Sequence, residues 1–158
     1  MVDIATVWNA QIARGDYAVT PGGALQADQD LPTAVLLSLF TDRTAHEDDV
    51  PPDGGGRRGW WGDAYRRFPL GSRLWLLSRE KETETTRLRA EEYGREALAW
   101  MIEAEVAAET EVRAAWTGPG RLELTAIIIS PTGSRQGWRY ALAWGQLISL
   151  DTITGLLI

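Results

Sequence analysis

The sequence predicts an α+β domain, and three observations carry the prediction. Apolar residues recur at helical spacing between Thr85 and Glu103. From Val106 the spacing falls to two, in three runs separated by Gly118-Pro119-Gly120 and by Pro131-Thr132-Gly133-Ser134. Ahead of both, short β-type runs flank Pro21-Gly22-Gly23 and suggest an N-terminal β arm or hairpin. At 158 residues the chain is long enough for one compact core and short for two, so a single domain over 1–158 is expected.

Ile4 to Trp8 reads as a short strand, and Asp16 to Val19 with Ala24 to Ala27 as a hairpin across the Pro21 turn. Residues 1–30 would thus form the β arm. Asp30-Leu31-Pro32-Thr33 is a helix-start signal, with proline allowed in the first turn and Asp30 or Thr33 available as a cap. The run Ala34 to Phe40 is apolar on every side and suits a helix or a buried strand; the start signal favours the helix. Asp42 to Gly56 is a loop by composition, acidic and rich in proline and glycine.

The next stretch, Arg57 to Leu77, sets adjacent tryptophans between glycines: Arg57, Arg58, Gly59, Trp60, Trp61, Gly62, Asp63. Glycines in such positions permit positive φ or close backbone approach, and paired indoles need something to bury them. A rigid aromatic loop is expected, with Trp60 and Trp61 buried, Arg57 and Arg58 meeting acidic groups, and Asp63 capping a turn or pairing with arginine. Ser72 is placed to cap a short helix carrying Leu74, Trp75 and Leu77. The long helix then presents Ala90, Tyr93, Gly94, Ala97, Met101 and Ala104 on one face with Leu98 and Trp100 beside them, and Glu91 with Arg95 supports it at i,i+4 spacing. That makes two to three helices within 31–105.

In the β region, 106–144, Val106, Ala108, Thr110, Val112, Ala114 and Trp116 share one face of the first strand. Ile127, Ile128 and Ile129 suggest burial on both faces of the second, and Trp138, Tyr140, Leu142 and Trp144 line the third. The prediction is a three-stranded antiparallel meander packed on helices. The segment 145–158 has no charge after Asp151 and ends apolar; it either completes the sheet or adds to a strand of another chain.

Charge and composition narrow the function. The chain has no cysteine, one histidine and a net charge of −6, which disfavours disulfides, thiolate chemistry and phosphate-driven nucleic-acid binding. The charge is banded. Residues 1–56 carry nine acidic and two basic side chains, 57–79 six arginines and one aspartate, and 80–111 ten glutamates and four basic residues. Such banding suits docking onto surfaces of complementary charge. The N-terminus lacks the pattern of a secretory signal, and no apolar run reaches a membrane span, so no membrane partner is expected. Glu47, Asp48 and Asp49 lack the spacing of a calcium loop, and Gly54-Gly55-Gly56 is not followed by the lysine of a phosphate loop, so neither metal nor cofactor is predicted. Asp63 beside the tryptophans, with a glutamate from the eighties, could make a carboxylate pair on a sugar groove, and the rings alone could stack on a glycan. Large aromatics serve cores and protein interfaces more often.

Ser38 to Arg43 (SLFTDR), Arg57 to Asp63 (RRGWWGD), Gly71 to Lys81 (GSRLWLLSREK) and Glu91 to Ile102 (EEYGREALAWMI), in this order and spacing, closely resemble the Mu-like phage tail baseplate protein family. The resemblance covers roughly residues 3 to 144. It implies a non-enzymatic structural subunit of the baseplate wedge, in a contractile phage tail or a related tail-like particle, made in the bacterial host cytoplasm. The family is in turn similar to small wedge proteins once labelled lysozyme-like, whose fold is related to the inner domain of tail sheath proteins. The partners implied are other wedge proteins and sheath subunits within a symmetric assembly, with Arg57 to Asp63 and Trp75 as the docking and packing anchor. The distant group ends its long helix on a Trp-Glu-Pro-Arg motif; here the place reads Trp100-Met101-Ile102-Glu103. A glycan-binding or peptidoglycan-hydrolysing tail protein is the alternative.

Overall fold

A computed structural model describes residues 3–4, 6–9, 14–17, 19, 21–24, 27–28, 30–52, 54–143 and 150–153. The N-terminal region forms two small ladders. β1 (Asp3–Ile4) pairs antiparallel with β4 (Ala27–Asp28), and β2 (Thr6–Asn9) pairs with β3 (Arg14–Tyr17), Trp8 lying opposite Gly15. The expected hairpin across Pro21 is therefore replaced by a different pairing. Thr6, Val7 and Trp8 are good strand formers, whereas the run Ala24 to Ala27 is not, and only four residues separate Asn9 from Arg14.

α1 (Asp30–Phe40) begins where the start signal lies, with Pro32 in its first turn, where a missing N–H costs nothing. Val35 and Leu39 are fully buried, and the Ser38 hydroxyl accepts the indole N–H of Trp100 at 3.0 Å, tying α1 to α2 (Glu84–Glu103). Thr83 caps α2 by accepting the amide N–H of Thr86. The face predicted for this helix is buried at Ala90, Tyr93, Gly94, Ala97, Leu98 and Met101, while Trp100 is half-buried and Ala104, just past the last helical residue, is exposed. Gly94 costs helix stability but lets the sheet come close, since a Cβ there would stand 2.7 Å from Val112 Cγ1.

The sheet runs β5 (Glu109–Gly118), β6 (Arg121–Ile129), β7 (Arg135–Ala143) and β8 (Leu150–Ile153), each antiparallel to the next. The predicted three-stranded meander is present, and 150–153 completes it with a fourth strand, Leu150 opposite Leu142. Trp144 and the apolar end, 154–158, lie outside the described residues. Register stacks the helix-facing residues in rows: Val112 faces Ala126, Ala114 faces Leu124, and Leu124 in turn faces Tyr140. All five are buried. Phe40 meets Tyr140 edge-on at 5.1 Å, joining α1 to the same core, and burial pushes the Tyr140 hydroxyl pKa up.

The first strand starts three residues later than its alternation suggests. Glu105 sits at φ 58, with its N–H on the Ile102 carbonyl and the Val106 N–H on Met101. This is the Schellman end of a helix, here without the usual glycine. It consumes 105–107, buries Ala107 instead of Ala108, and leaves Val106 exposed. Of the three isoleucines, Ile127 and Ile128 are buried and Ile129 half-buried. The middle of β5's outer edge is engaged by α2: the Ala114 N–H donates to Glu91 at 3.0 Å and its carbonyl accepts from Arg87 at 2.9 Å.

Candidate functional site

The segment from Asp42 to Ser72 loops out of the core and returns beside its own start. The Ser72 N–H donates to the Thr41 carbonyl and the Arg43 N–H to that of Ser72, both at 2.9 Å, and the Ser72 hydroxyl donates to the last turn of α1 at Leu39. The same hydroxyl accepts the Leu74 N–H, so Ser72 does serve the start of a helical turn, a 3-10 turn over Leu74–Leu77. Gly71 has φ +97, and a Cβ there would lie 2.3 Å from the Thr41 oxygen. Only glycine fits at this crossing.

Farther out, the Ala45 N–H donates to the Arg57 carbonyl at 2.8 Å. Gly59 turns at φ +106 against Thr44, where a Cβ would meet Oγ1 at 2.0 Å. The expectation of positive φ at the flanking glycines therefore holds at Gly59. Gly62 serves close approach instead: it is buried beneath the Trp60 ring, 2.2 Å from where its Cβ would be. A second 3-10 turn, Trp61–Tyr65, was not foreseen in the sequence. Asp63 closes it by accepting the Leu70 N–H at 2.9 Å, which occupies one carboxylate oxygen with the chain's own backbone.

Arg58 reaches across the loop to Asp42 at 2.8 Å and stacks 4.3 Å from the centroid of Trp75. Trp75 is 4% exposed and donates its indole N–H to the Arg43 carbonyl at 2.9 Å, so it anchors the loop from inside. Of the paired tryptophans, Trp60 is half-buried, with Arg66 over its ring at 5.5 Å, while Trp61 is 80% exposed. The expectation that both bury is corrected: with its neighbour already covering Gly62, the second indole is left on the outside. Tyr65 joins it there at 86% exposure. Arg57, Arg66 and Arg67 of the same loop are exposed and enter no ion pair among the described residues, Arg67 lying 5.1 Å from the Phe68 ring centroid.

Sequence reasoning missed what fixes the base of this loop. The Arg73 guanidinium donates to both oxygens of Asp49, at 3.1 and 3.0 Å, and to Glu96 at 2.9 Å, while lying 4.3 Å from the Tyr93 ring centroid. Arg73, one of the six arginines of the basic band, is 11% exposed and internally paired. Glu96 also lies 3.8 Å from Arg43 and 3.4 Å from His46. Burial works against charge on Asp49, but the Arg73 guanidinium and the His46 N–H outweigh it and hold the carboxyl below its usual range. Arg73 is likewise raised: desolvation opposes this, and the two carboxylates prevail. Nothing in the spacing of Asp49, Arg73 and Glu96 pairs them, because each belongs to a different segment. Among the described residues, no three His, Asp or Glu side chains are grouped to hold a metal ion.

The geometry is thus a loop stapled at its neck, with an aromatic and cationic outer surface. Residues 31–135 match the family described as phage protein GP46. The chain belongs to the Mu-like gp46 baseplate protein family. It is similar to baseplate protein gp46 of Escherichia phage Mu, 47% identical over 135 residues, covering 85% of this chain and 91% of the Mu protein. It is also similar to Mu-like prophage FluMu protein gp46 of Haemophilus influenzae, 33% identical over 145 residues, covering 91% of this chain and 98% of that one. The gp46 match takes in α1, the stapled loop, α2 and the first two strands of the main sheet.

Proposed function

We propose that this chain is a structural, non-enzymatic subunit of the tail baseplate of a Mu-like phage or prophage particle. The observation that carries the reading is its 47% identity to the Mu baseplate protein across nearly the full length of both. The stapled loop agrees with it. Interface anchors are typically tryptophan, tyrosine and arginine held on a rigid support, and Trp61, Tyr65 and Arg57 sit on such a support. Asp63, the carboxylate a sugar-cleaving reading would need, already holds the Leu70 amide.

At finer grain, the subunit works within the wedge of a contractile tail or tail-like particle. Its helical side meets a larger wedge protein, and its sheet, related to the inner domain of sheath proteins, takes up a neighbour's strand. A strand pairing with β5 would have to displace Arg87 and Glu91 from Ala114.

Deleting the gene and imaging the particles tests the role. Tails without an assembled baseplate, restored by the wild-type gene, are expected. Normal infectious tails, or turnover of peptidoglycan by the purified chain that Asp63→Asn abolishes, would overturn it.

A further inference from the structure

We infer that the outer surface of the stapled loop docks on an acidic patch of a different baseplate polypeptide, with Trp61 and Tyr65 entering an apolar cleft there and Arg57, Arg66 and Arg67 meeting carboxylates around it. The inference rests on the baseplate reading above and names the chemistry of the partner.

Two large rings at 80% and 86% exposure on one five-residue turn are not explained by the core, which gains almost nothing from them. Flexibility does not explain them either. The turn is fixed by Asp63 on Leu70, by the Trp60 ring on Gly62 and by the Arg57 carbonyl on Ala45, so the backbone carrying both rings is held, and Trp61 leans on Trp60 with centroids 5.5 Å apart. A preorganised aromatic loses little entropy on binding, which is what an anchor residue requires.

Charge selects the partner. Within the 57–67 stretch Arg58 is paired with Asp42 and Asp63 is the one carboxylate, so Arg57, Arg66 and Arg67 outweigh it and leave a local positive excess on a chain whose total is −6. A second copy would bring that excess of negative charge with it, and a polyanion such as DNA would be repelled by the acidic remainder of the molecule. A protein surface with a local acidic cluster satisfies the arginines without either penalty, and its apolar centre takes the rings.

The test uses intact particles. The photoreactive residue benzoylphenylalanine replaces Trp61 in the full chain, particles are assembled in the host, irradiated, purified, and the crosslinked peptide is sequenced. A peptide from another particle protein, with Asp and Glu dominating its charged residues, is expected. A crosslink to a second copy of this chain, to DNA, to a basic segment, or to nothing while the chain is present in the particle overturns the docking inference and leaves the baseplate reading standing. Absence of the wild-type chain from purified particles overturns both. In parallel, Trp61→Ala lowers incorporation about tenfold or more against wild type in competition. The triple change Arg57→Glu, Arg66→Glu, Arg67→Glu lowers it further, with the melting temperature of each purified variant unchanged. Incorporation equal to wild type in both variants refutes the proposal.

Discussion

The described residues between Asp42 and Arg73 form neither α-helix nor extended strand, and they keep their shape through particular polar bonds: Ser72 on Leu39 and Thr41, Arg73 on Asp49 and Glu96, Asp63 on Leu70. The layer of α2 against β5 to β7 keeps its shape through rows of apolar side chains in register. Both regions are well defined, yet they fail differently when altered. In the layer, cost follows the volume removed. In the loop, it follows whether one donor, one carboxylate or one missing Cβ is respected.

The largest effect expected is in the layer. Leu98→Ala empties a fully buried position on α2 and lowers stability by about 4 kcal/mol, read as a drop in denaturation midpoint at constant slope. Loss below about 1 kcal/mol would mean the helix does not form the core described.

Gly71→Ala asks the same question of the loop. The new methyl strikes the Thr41 carbonyl at a backbone angle that disfavours any side chain, costing about 3 kcal/mol although only one methyl is added. A melting temperature equal to wild type would show that the neck is not held as described.

Arg73→Met sharpens the contrast by separating charge from packing. It leaves Asp49 and Glu96 without their main partner and costs about 2 kcal/mol at neutral pH. Because the folded Asp49 carboxyl is held below its ordinary pKa of about 3.9, the unfolded chain binds the extra proton first on acidification. The stability from this pair is present above about pH 4 and drains away as pH falls through the lowered folded value. Acid titration of wild type against Arg73→Met should show the two curves converging in that window; parallel curves would contradict the pairing.

The smallest effect lies within the layer, where α2 passes into β5. Glu105 ends α2 in the left-handed region, so Glu105→Gly gains about 0.5–1 kcal/mol, measurable as a slightly raised melting temperature. A loss would mean that its side chain does something the backbone angle does not reveal.

The same contrast explains what the sequence made legible. The buried face of α2, the alternation along β5 to β7 and the turns between them follow from periodicity, since burial repeats every 3.6 or every 2 residues. Gly59 and Gly62 could be read because glycine beside bulky rings has few other uses. The exposure of Trp61 could not, since adjacent residues cannot both cover one glycine and nothing local says which does. The Arg73 network escaped for another reason: Asp49, Arg73 and Glu96 come from three segments that only the fold assembles, and each alone is one charged residue among many. The Schellman end at Glu105 was hidden because its usual marker residue is absent.

Ala114 lies near the middle of the outermost ribbon, and both halves of its peptide are held by oppositely charged side chains from the neighbouring helix. A stray extended segment arriving there would find its ladder interrupted halfway along, with only short stretches left on either side. Copies of the chain meeting at high concentration therefore lack a continuous rim along which to zip into fibres.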